Sequence, residues 1–255
     1  MPLPPHVHLF LPSSTPAVLL EARLYLPLTR DSSLPLSTTQ HSTPSATLDT
    51  SATVKRLGIK RLVTASHPWG RLGGNMLDPI IVDHLLPLAL QDPLTAVMSY
   101  NVRGVGRSQG SKPWVGLGLD VEDFGAVERG ALELIGEEVE IWRFGYSYGS
   151  ILALNAPASQ PLRSILILSP PLSMYNLFTL FASQTFASGL QRAAAEGVKL
   201  IMVYGTRDDF TGVESYRALQ KEGLGIKEIE GAGHFFRSCE EGEALRRAIS
   251  AWLHV

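Results

Sequence analysis

The 255-residue sequence predicts an α/β fold in which a mostly parallel central sheet of about eight strands carries helices on both faces. From about residue 54, short apolar segments alternate with helical segments, which is the order that βαβ units produce. Several of the apolar segments end in turns that contain glycine and a polar side chain. Because open parallel sheets collect their sites at the carboxyl ends of the strands, these turns are where we expect the functional residues.

The N-terminal part of the chain predicts an antiparallel hairpin on one edge of the sheet. Apolar, β-prone patches at 7–11 and 17–26 are separated by a turn rich in Ser, Thr and Pro. The next segment, 29–53, is also rich in these residues and poor in aromatics. It cannot bury enough apolar area to offset its ordering entropy, so we expect a mobile surface loop, with a functional docking loop as the alternative.

The rest of the chain predicts alternating strands and helices within a single domain, 1–255, without internal repeats. The strands are expected at 61–65, 95–100, 139–144, 164–168, 198–204 and 226–230, and helices at about 78–90, 119–135, 150–156 and 241–253. Thr211–Glu214 has the S/T-x-x-E form of a capping box and predicts the start of one more helix. In the last helix, Leu245, Ile249 and Trp252 share one face.

A sharp turn is predicted at the residues Gly145-Tyr146-Ser147-Tyr148-Gly149. They lie between a predicted strand and a predicted helix, and a G-x-S-x-G in that context is a nucleophile elbow, which lifts a serine hydroxyl above the sheet. A serine hydroxyl is protonated at neutral pH and requires an adjacent base to become a nucleophile. We therefore expect Ser147 to be a nucleophile with a base nearby.

The required base and acid follow in the order that such an elbow demands, namely Ser, Asp or Glu, His. His234 comes after the last predicted strand and is the expected base. The strand at 198–204 is followed by Asp208 and Asp209, either of which would fix the imidazole tautomer and stabilise the imidazolium. Asp209 lies closer to the next helix, so its charge is also suited to the positive end of that helix.

Four motifs in this order resemble those of the α/β-hydrolase superfamily, and the resemblance runs from about residue 54 to the C-terminus. Within the superfamily, the chain is similar to small, nearly lidless hydrolases with an H-P-x-x-x-x-G-G loop. The motifs are His67-Pro68-Trp69-Gly70-Arg71-Leu72-Gly73-Gly74, Asn101-Val102-Arg103-Gly104-Val105-Gly106-Arg107-Ser108, the elbow, and the acid and histidine. The resemblance implies the α/β-hydrolase fold with a minimal lid at 171–196, and it favours Asp208 as the acid.

An oxyanion hole requires two backbone N–H groups that point at the developing negative charge. Tyr148, the residue after the nucleophile, should supply one of them. The second should come from the loop after the strand at 61–65, where Pro68 has no N–H to donate. Comparison with superfamily loops that begin with His favours Trp69, with Gly70 or Arg71 as alternatives.

Two other features of these loops are expected to be structural. His67 should hold its loop in shape rather than contact a substrate. The stretch at 101–108 contains Arg103 between glycine-rich turns, but its spacing is neither G-x-G-x-x-G nor a P-loop, so we do not expect a phosphate site.

Several large side chains near the expected site could form an apolar pocket for an acyl group, or could simply pack in the core. The pocket candidates are Tyr146, Met174, Tyr175, Phe178, Phe181, Phe210 and Phe235.

The resemblance implies a serine hydrolase that acts through an acyl-enzyme on a small ester, thioester, lactone or amide. The same triad could instead serve C–C bond cleavage, acyl transfer or cyclisation in a biosynthetic pathway, because a fold does not fix a function. A non-catalytic binding protein of this fold is the third alternative, although such relatives generally lack the serine or the histidine.

Composition narrows the partners of the protein. The net charge is −2 and there is no basic run, so we expect no nucleic-acid partner. The sequence contains no apolar stretch of 18 residues, so we expect no membrane span. The N-terminus has no cationic segment ahead of an apolar core, so a secretory signal is not expected. Cys239 is the single cysteine, which excludes an internal disulfide and fits a reducing cytoplasm. Neither a paired-histidine metal motif nor a dinucleotide fingerprint occurs, so we expect no metal and no cofactor. The family resemblance implies a small-molecule acyl substrate, and we expect a monomer or homodimer.

Overall fold

One sheet of eight strands forms the centre of the computed structural model. The structure describes residues 3–27, 54–55, 57–112, 117–174, 184–219 and 224–255. Its strands are β1 (His6–Pro12), β2 (Leu19–Tyr25), β3 (Arg61–Ser66), β4 (Thr95–Tyr100), β5 (Glu140–Tyr146), β6 (Leu162–Leu168), β7 (Lys199–Gly205) and β8 (Leu224–Ile229).

The strands are arranged in the order β1-β2-β4-β3-β5-β6-β7-β8. β1 pairs antiparallel with β2, and β2 pairs antiparallel with β4, whereas every other neighbouring pair is parallel. The predicted mostly parallel sheet is confirmed, as is the antiparallel hairpin on one edge. The predicted loop at 29–53 lies outside the described residues.

Helices follow most of the strands from β3 onward. They are α1 (Leu86–Ala89), α2 (Asp120–Ile135), α3 (Tyr148–Asn155), α4 (Gln184–Ala195), α5 (Val213–Arg217) and α6 (Cys239–Leu253), with short 3₁₀ turns at Gly70–Leu72 and Leu172–Met174. None of the described helices is both long and apolar enough to cross a membrane. In the region 171–196, the structure describes the second 3₁₀ turn and α4, and residues 175–183 lie outside the described part.

Strand alternation divides the core into two layers, one on each face of the sheet. In β5, Trp142 and Phe144 pack on the face that α6 covers, where Trp252 is fully buried. Ile141 points to the opposite face, which α2, α3 and α4 cover. Helices therefore lie on both faces, as predicted. Leu245, Ile249 and Trp252 of α6 are all buried, which also confirms the predicted face of that helix.

A buried ion pair connects β5 to the helices beside it. Nε and Nη2 of Arg143 donate to the two carboxylate oxygens of Glu128 in α2, at 2.8 and 2.7 Å. Nη1 of Arg143 also donates to the carbonyl oxygen of Ala156, just beyond the end of α3, at 2.7 Å. The strand that leads into the elbow is thus tied to the helix before it and to the helix after it.

The segment predicted as one helix at 78–90 has two geometries. Residues Ile80–Leu85 form a π-helix, and α-helical bonding begins at Leu86. Pro87 has no amide hydrogen for an α-helical bond to the carbonyl of Asp83, and the change of geometry falls beside it.

The capping box predicted at Thr211–Glu214 is wrong. The N-cap of α5 is Gly212, and no side chain caps the helix. The Thr211 hydroxyl instead donates to the carbonyl of Pro170 (3.1 Å) and accepts the amide hydrogen of Leu172 (2.9 Å), so it holds the loop after β6. A capping box does occur at α6, where the side chain of Ser238 accepts from the Glu241 amide.

Candidate active site

Ser147 lies at the junction of β5 and α3, in a backbone conformation that is uncommon for serine. Its φ is 52° and its ψ is −119°. Its amide donates to the carbonyl of Leu168 at the end of β6, at 2.8 Å. Strained backbone of this kind persists only where the surrounding structure over-determines it, and such strain is concentrated at functional sites.

The two glycines of the elbow are required by the closeness of the neighbouring backbone. A Cβ at Gly145 would lie 2.4 Å from the carbonyl oxygen of Gly149. A Cβ at Gly149 would lie 2.3 Å from the carbonyl oxygen of Ser66, at the end of β3. The G-x-S-x-G spacing therefore follows from the contact of β5, α3 and the neighbouring strand.

The structure brings Ser147, His234 and Asp208 into one hydrogen-bonded chain. His234 Nε2 lies 3.0 Å from Ser147 Oγ, and His234 Nδ1 lies 2.8 Å from Asp208 Oδ2. With Nδ1 protonated, the imidazole donates to the carboxylate, and Nε2 can accept the serine proton. All three side chains are nearly buried, with exposed fractions of 8%, 3% and 7% respectively.

Asp208 is held as a carboxylate by four donors. Oδ1 accepts the amide hydrogens of Phe210 (2.8 Å) and Thr211 (3.1 Å), while Oδ2 accepts from His234 and from the hydroxyl of Tyr216 (2.9 Å). Burial by itself would raise the pKa of Asp208, but the interactions with His234 and the other donors outweigh it, so the pKa is lowered. The acid is therefore charged at neutral pH and can stabilise an imidazolium.

Asp209, the other candidate acid, is exposed. The contact with His234 is made by Asp208, and no hydrogen bond or ion pair between Asp209 and the imidazole occurs among the described residues.

Aromatic side chains surround the imidazole. The rings of Phe210 and Phe235 have their centroids 4.4 and 5.2 Å from that of His234. Tyr146, a predicted pocket residue, is buried behind the imidazole rather than in a pocket: its hydroxyl donates to the carbonyl oxygen of His234 at 2.9 Å. It supports the loop that carries the histidine.

A small cleft of about 80 Å³ opens beside Ser147 and His234. The other residues that line it are Pro68, Trp69, Leu72, Gly74, Asp78, Pro171, Phe210 and Phe235. Of the predicted pocket residues, Phe210 and Phe235 line the cleft. The side chain of Met174 and the residues Tyr175, Phe178 and Phe181 lie outside the described part of the chain.

The sequence prediction did not include Asp78, which contributes an acidic group to this cleft. The available signal was its place four residues beyond Gly74, at the start of the predicted helix 78–90.

His67 holds the loop at 67–74 in shape through two hydrogen bonds. Its Nδ1–H donates to the carbonyl of Pro68 (2.6 Å), and its Nε2 accepts the amide hydrogen of Val102 (3.2 Å). Burial lowers the pKa of His67 to about 4, so the ring is neutral at neutral pH. The carbonyl of Trp69 accepts the amide hydrogens of Leu72 and Gly74, which closes the loop around the cleft.

Arg103 also has a structural partner. Its guanidinium donates to both carboxylate oxygens of Asp123 in α2, and to the hydroxyls of Ser13 and Thr15 in the turn between β1 and β2. These bonds account for its charge within the fold.

A buried carboxyl lies beneath the elbow helix. The hydroxyl of Tyr148 donates to Oδ2 of Asp120, the first residue of α2, at 2.7 Å. Burial raises the pKa of Asp120 to about 7, although the bond from Tyr148 acts in the opposite direction. Asp120 thus adds a titratable group behind the residue proposed to supply an oxyanion-hole amide.

Larger cavities lie away from the serine. One of about 810 Å³ lies between β8 and α6, and one of about 770 Å³ lies near the end of α3 and α4. Neither is lined by Ser147, Asp208 or His234. Among the described residues, no group of three His, Cys, Asp or Glu side chains is suited to hold a metal ion.

Comparison with known proteins identifies the architecture. No family model and no curated protein matches the sequence. Among solved structures, an alpha-beta serine hydrolase homologue from Coxiella burnetii is similar, with a TM-score of 0.68, 21% identity, and coverage of 96% of this chain and 95% of that one. A serine hydrolase without lid from Xanthomonas campestris matches at a TM-score of 0.65 and 17% identity, over 100% and 99% of the two chains. An esterase from Pyrococcus furiosus matches at 0.62 and 15%, over 98% and 90%. The chain has the α/β-hydrolase fold.

Proposed function

We propose that this protein is a serine hydrolase that acts through an acyl-enzyme on a small ester, thioester, lactone or amide. The observation that carries the proposal is the hydrogen-bonded chain from Ser147 through His234 to Asp208, with its serine at the edge of a cleft. Nucleophile, base and orienting acid within hydrogen-bond reach are the signature of nucleophilic catalysis by serine.

The first half of the reaction forms the acyl-enzyme. Ser147 Oγ attacks the acyl carbonyl carbon while its proton passes to Nε2 of His234. The charged Asp208 stabilises the resulting imidazolium. As the tetrahedral intermediate collapses, the bond to the leaving group breaks and Nε2 returns the proton to that group, which leaves an ester on Ser147.

The second half regenerates the serine. A water molecule gives a proton to His234 Nε2 and attacks the acyl carbon, and the bond to Ser147 Oγ then breaks. The serine oxygen takes the proton back from Nε2, and the carboxylic acid is released. Each step uses the same imidazole nitrogen, 3.0 Å from the serine oxygen.

In this proposal the amides of Tyr148 and Trp69 bind the oxyanion. Tyr148 begins α3, so its N–H lies at the positive end of that helix. Trp69 lines the same cleft as Ser147. Donors fixed in advance of the reaction supply the largest stabilisation in enzymes of this kind, about 3–4 kcal/mol for each donor.

The lining of the cleft supports a small, largely apolar acyl or alcohol group. Most of the lining side chains are apolar, and two of them, Leu72 and Phe235, are substantially exposed at 65% and 45%.

A location in a reducing cytoplasm and a monomeric or homodimeric state stay predictions from the sequence. C–C cleavage, acyl transfer and cyclisation would use the same three residues, and product analysis separates them from hydrolysis.

The proposal is tested by intact-mass labelling with an alkyl fluorophosphonate. Wild-type protein should gain one adduct per chain, and Ser147→Ala should gain none. The substitution removes only the hydroxyl, so both proteins should keep the same melting temperature. Ser111→Ala, at an exposed serine that is not among the residues lining the cleft, is the matched control and should label like wild type.

Two results would count against the proposal. An adduct that persists in Ser147→Ala would place the reactive residue elsewhere. Folded wild-type protein that gains no adduct would favour the binding-protein alternative, in which the triad has lost its reactivity. A panel of short acyl esters would then be turned over by neither protein.

A further inference from the structure

Asp78 is an acidic residue in the cleft for which the proposed reaction has no use. It follows the oxyanion loop and precedes the π-helix Ile80–Leu85. Its side chain is half-buried and lines the same cleft as Ser147 and His234. Among the described lining residues, no other carboxylate and no lysine or arginine is present.

One half of the Asp78 carboxylate has a structural role. Oδ1 accepts the amide hydrogen of Ile80 at 2.9 Å, and the backbone carbonyl accepts those of Ile81 and Val82. These bonds fix the residue at the start of the helix. In the described part of the chain, Oδ2 has no hydrogen-bond or ion-pair partner.

The helix start does not require a charge. Serine, threonine or asparagine caps a helix about as well as aspartate. A carboxylate at a half-buried, apolar position instead costs free energy: burial raises the pKa of Asp78 to about 6, and His234 acts in the opposite direction. At neutral pH the group is mostly ionised, and a cation beside Oδ2 would offset the cost.

The aromatic lining favours the same kind of ligand. Trp69 and Phe210 line the cleft together with Asp78. A ring face and a carboxylate both attract an alkylammonium group, the first through its quadrupole and the second through its charge. Phe235 is a third ring in the lining, and the guanidinium of Arg237 lies 4.8 Å from its centroid.

We propose that Asp78 forms a cation subsite in the cleft and selects substrates that carry an alkylammonium group near the scissile acyl bond. This inference rests on the proposed serine hydrolase activity and names the substrate class of that same site. A substrate with a carboxylate at this position would be repelled by Oδ2 and poorly bound.

The test uses two thioesters of nearly the same shape, acetylthiocholine and S-(3,3-dimethylbutyl) thioacetate, of which only the first is charged. The released thiol is measured, and kcat/KM is compared for wild type, Asp78→Asn and Asp78→Ser. We expect wild type to prefer the charged thioester by about tenfold, equivalent to about 1.4 kcal/mol, and both variants to lose most of that preference. Asn and Ser keep an acceptor for the Ile80 amide, so melting temperatures should stay close to wild type.

Asp83→Asn is the matched control, because Asp83 is exposed on the same π-helix. Its charged-to-neutral ratio should equal that of wild type. A ratio that is unchanged in Asp78→Asn, or an equal loss for both thioesters, would overturn the cation subsite and leave Asp78 as a helix cap or a modulator of His234.

A second readout applies if neither thioester is turned over. Butyltrimethylammonium should slow fluorophosphonate labelling of wild type, and it should slow labelling of Asp78→Asn much less. Labelling that proceeds without any protection would overturn the subsite but not the hydrolase. Absence of labelling on folded wild-type protein would overturn the hydrolase, and the subsite with it.

Discussion

The two oxygens of Asp208 serve different partners. Oδ1 is bonded to backbone amides of its own turn, whereas Oδ2 faces His234 and Tyr216. The turn therefore orients the carboxylate before the imidazole is bound. An asparagine at this position could keep the hydrogen bonds from the Phe210 and Thr211 amides. It would then present to the imidazole either an NH₂ group, which donates, or an uncharged oxygen, which is a weaker acceptor than a carboxylate.

Asp208→Asn should lower kcat by about 10⁴-fold, because the imidazole is no longer held in the productive tautomer and its positive charge is no longer offset. Asp209→Asn, at the exposed neighbour, should change kcat by less than about twofold. The measurement is kcat on any acyl ester that the wild type turns over. The reverse ranking of the two variants would transfer the role of the acid to Asp209.

At the scale of single residues, chain order and strand ends predicted Ser147, His234 and an acid at Asp208 or Asp209, and the family resemblance favoured Asp208. The structure brings Ser147, His234 and Asp208 together. Tyr146, which the sequence offered as a pocket candidate, is not among the residues that line the cleft beside Ser147. Tyr146 continues the Trp142, Phe144 series of β5, which faces α6. Asp78 was missed because nothing in its local sequence shows that its side chain lines the cleft.

At the scale of elements, β5 leads to the proposed nucleophile, and Arg143 bonds the strand to α2 and to the residue after α3. Arg143 and Glu128 are almost fully buried, at 1% and 0% exposure of their side chains. Breaking a buried pair leaves one charge without compensation, which costs far more than the pair itself contributes.

Glu128→Gln should therefore lower the free energy of unfolding by about 3–5 kcal/mol, measured by urea denaturation. The matched control is Glu214→Gln, because the side chain of Glu214 is 82% exposed and its ion pair with Arg217 lies on the surface. That change should cost less than about 0.5 kcal/mol. A loss below 1 kcal/mol in Glu128→Gln would mean that the Arg143 charge finds other compensation, such as the carbonyls near the end of α3.

The positions of the strands and helices were largely predictable from the sequence. The type of helix at one segment and the cap of another helix were not. Periodicity located every strand and the face of α6. It did not distinguish the π-helix at Ile80–Leu85 from an α-helix, since both leave similar residues buried. At Thr211 the capping motif was present, but tertiary bonds to Pro170 and Leu172 took the hydroxyl instead.

At the scale of the whole molecule, buried titratable groups shape the dependence of stability on pH. His67 has a pKa of about 4 in the fold against 6.5 when exposed, so its contribution is present above pH 6.5 and is lost as the pH falls toward 4. Asp120 has a pKa of about 7 against 3.8, so folding takes up a proton there and stability falls as the pH rises from about 4 to 7. The two contributions oppose each other over most of this range.

Asp120→Asn should remove the contribution of Asp120 to the pH dependence of stability and make the contribution of His67 visible. The unfolding free energy of the variant, relative to wild type, should increase from pH 4 to pH 7 by about 1–4 kcal/mol, since each unit of pKa shift is worth about 1.4 kcal/mol. Urea denaturation at several pH values provides the measurement. Parallel pH profiles for the two proteins would show that Asp120 is ionised in the fold throughout the range.

The sequence separation of the triad has a consequence for how the protein is made. His234 lies 87 residues after Ser147 and 26 after Asp208. Ribosomes deliver the chain from its N-terminus, so the serine leaves the exit tunnel long before its base exists. A nascent chain that ends anywhere before residue 234 carries an ordinary hydroxyl, unable to react with the acyl compounds around it. The proposed chemistry therefore requires that residue 234 has been synthesised and has packed beside Ser147, however early the serine itself is made.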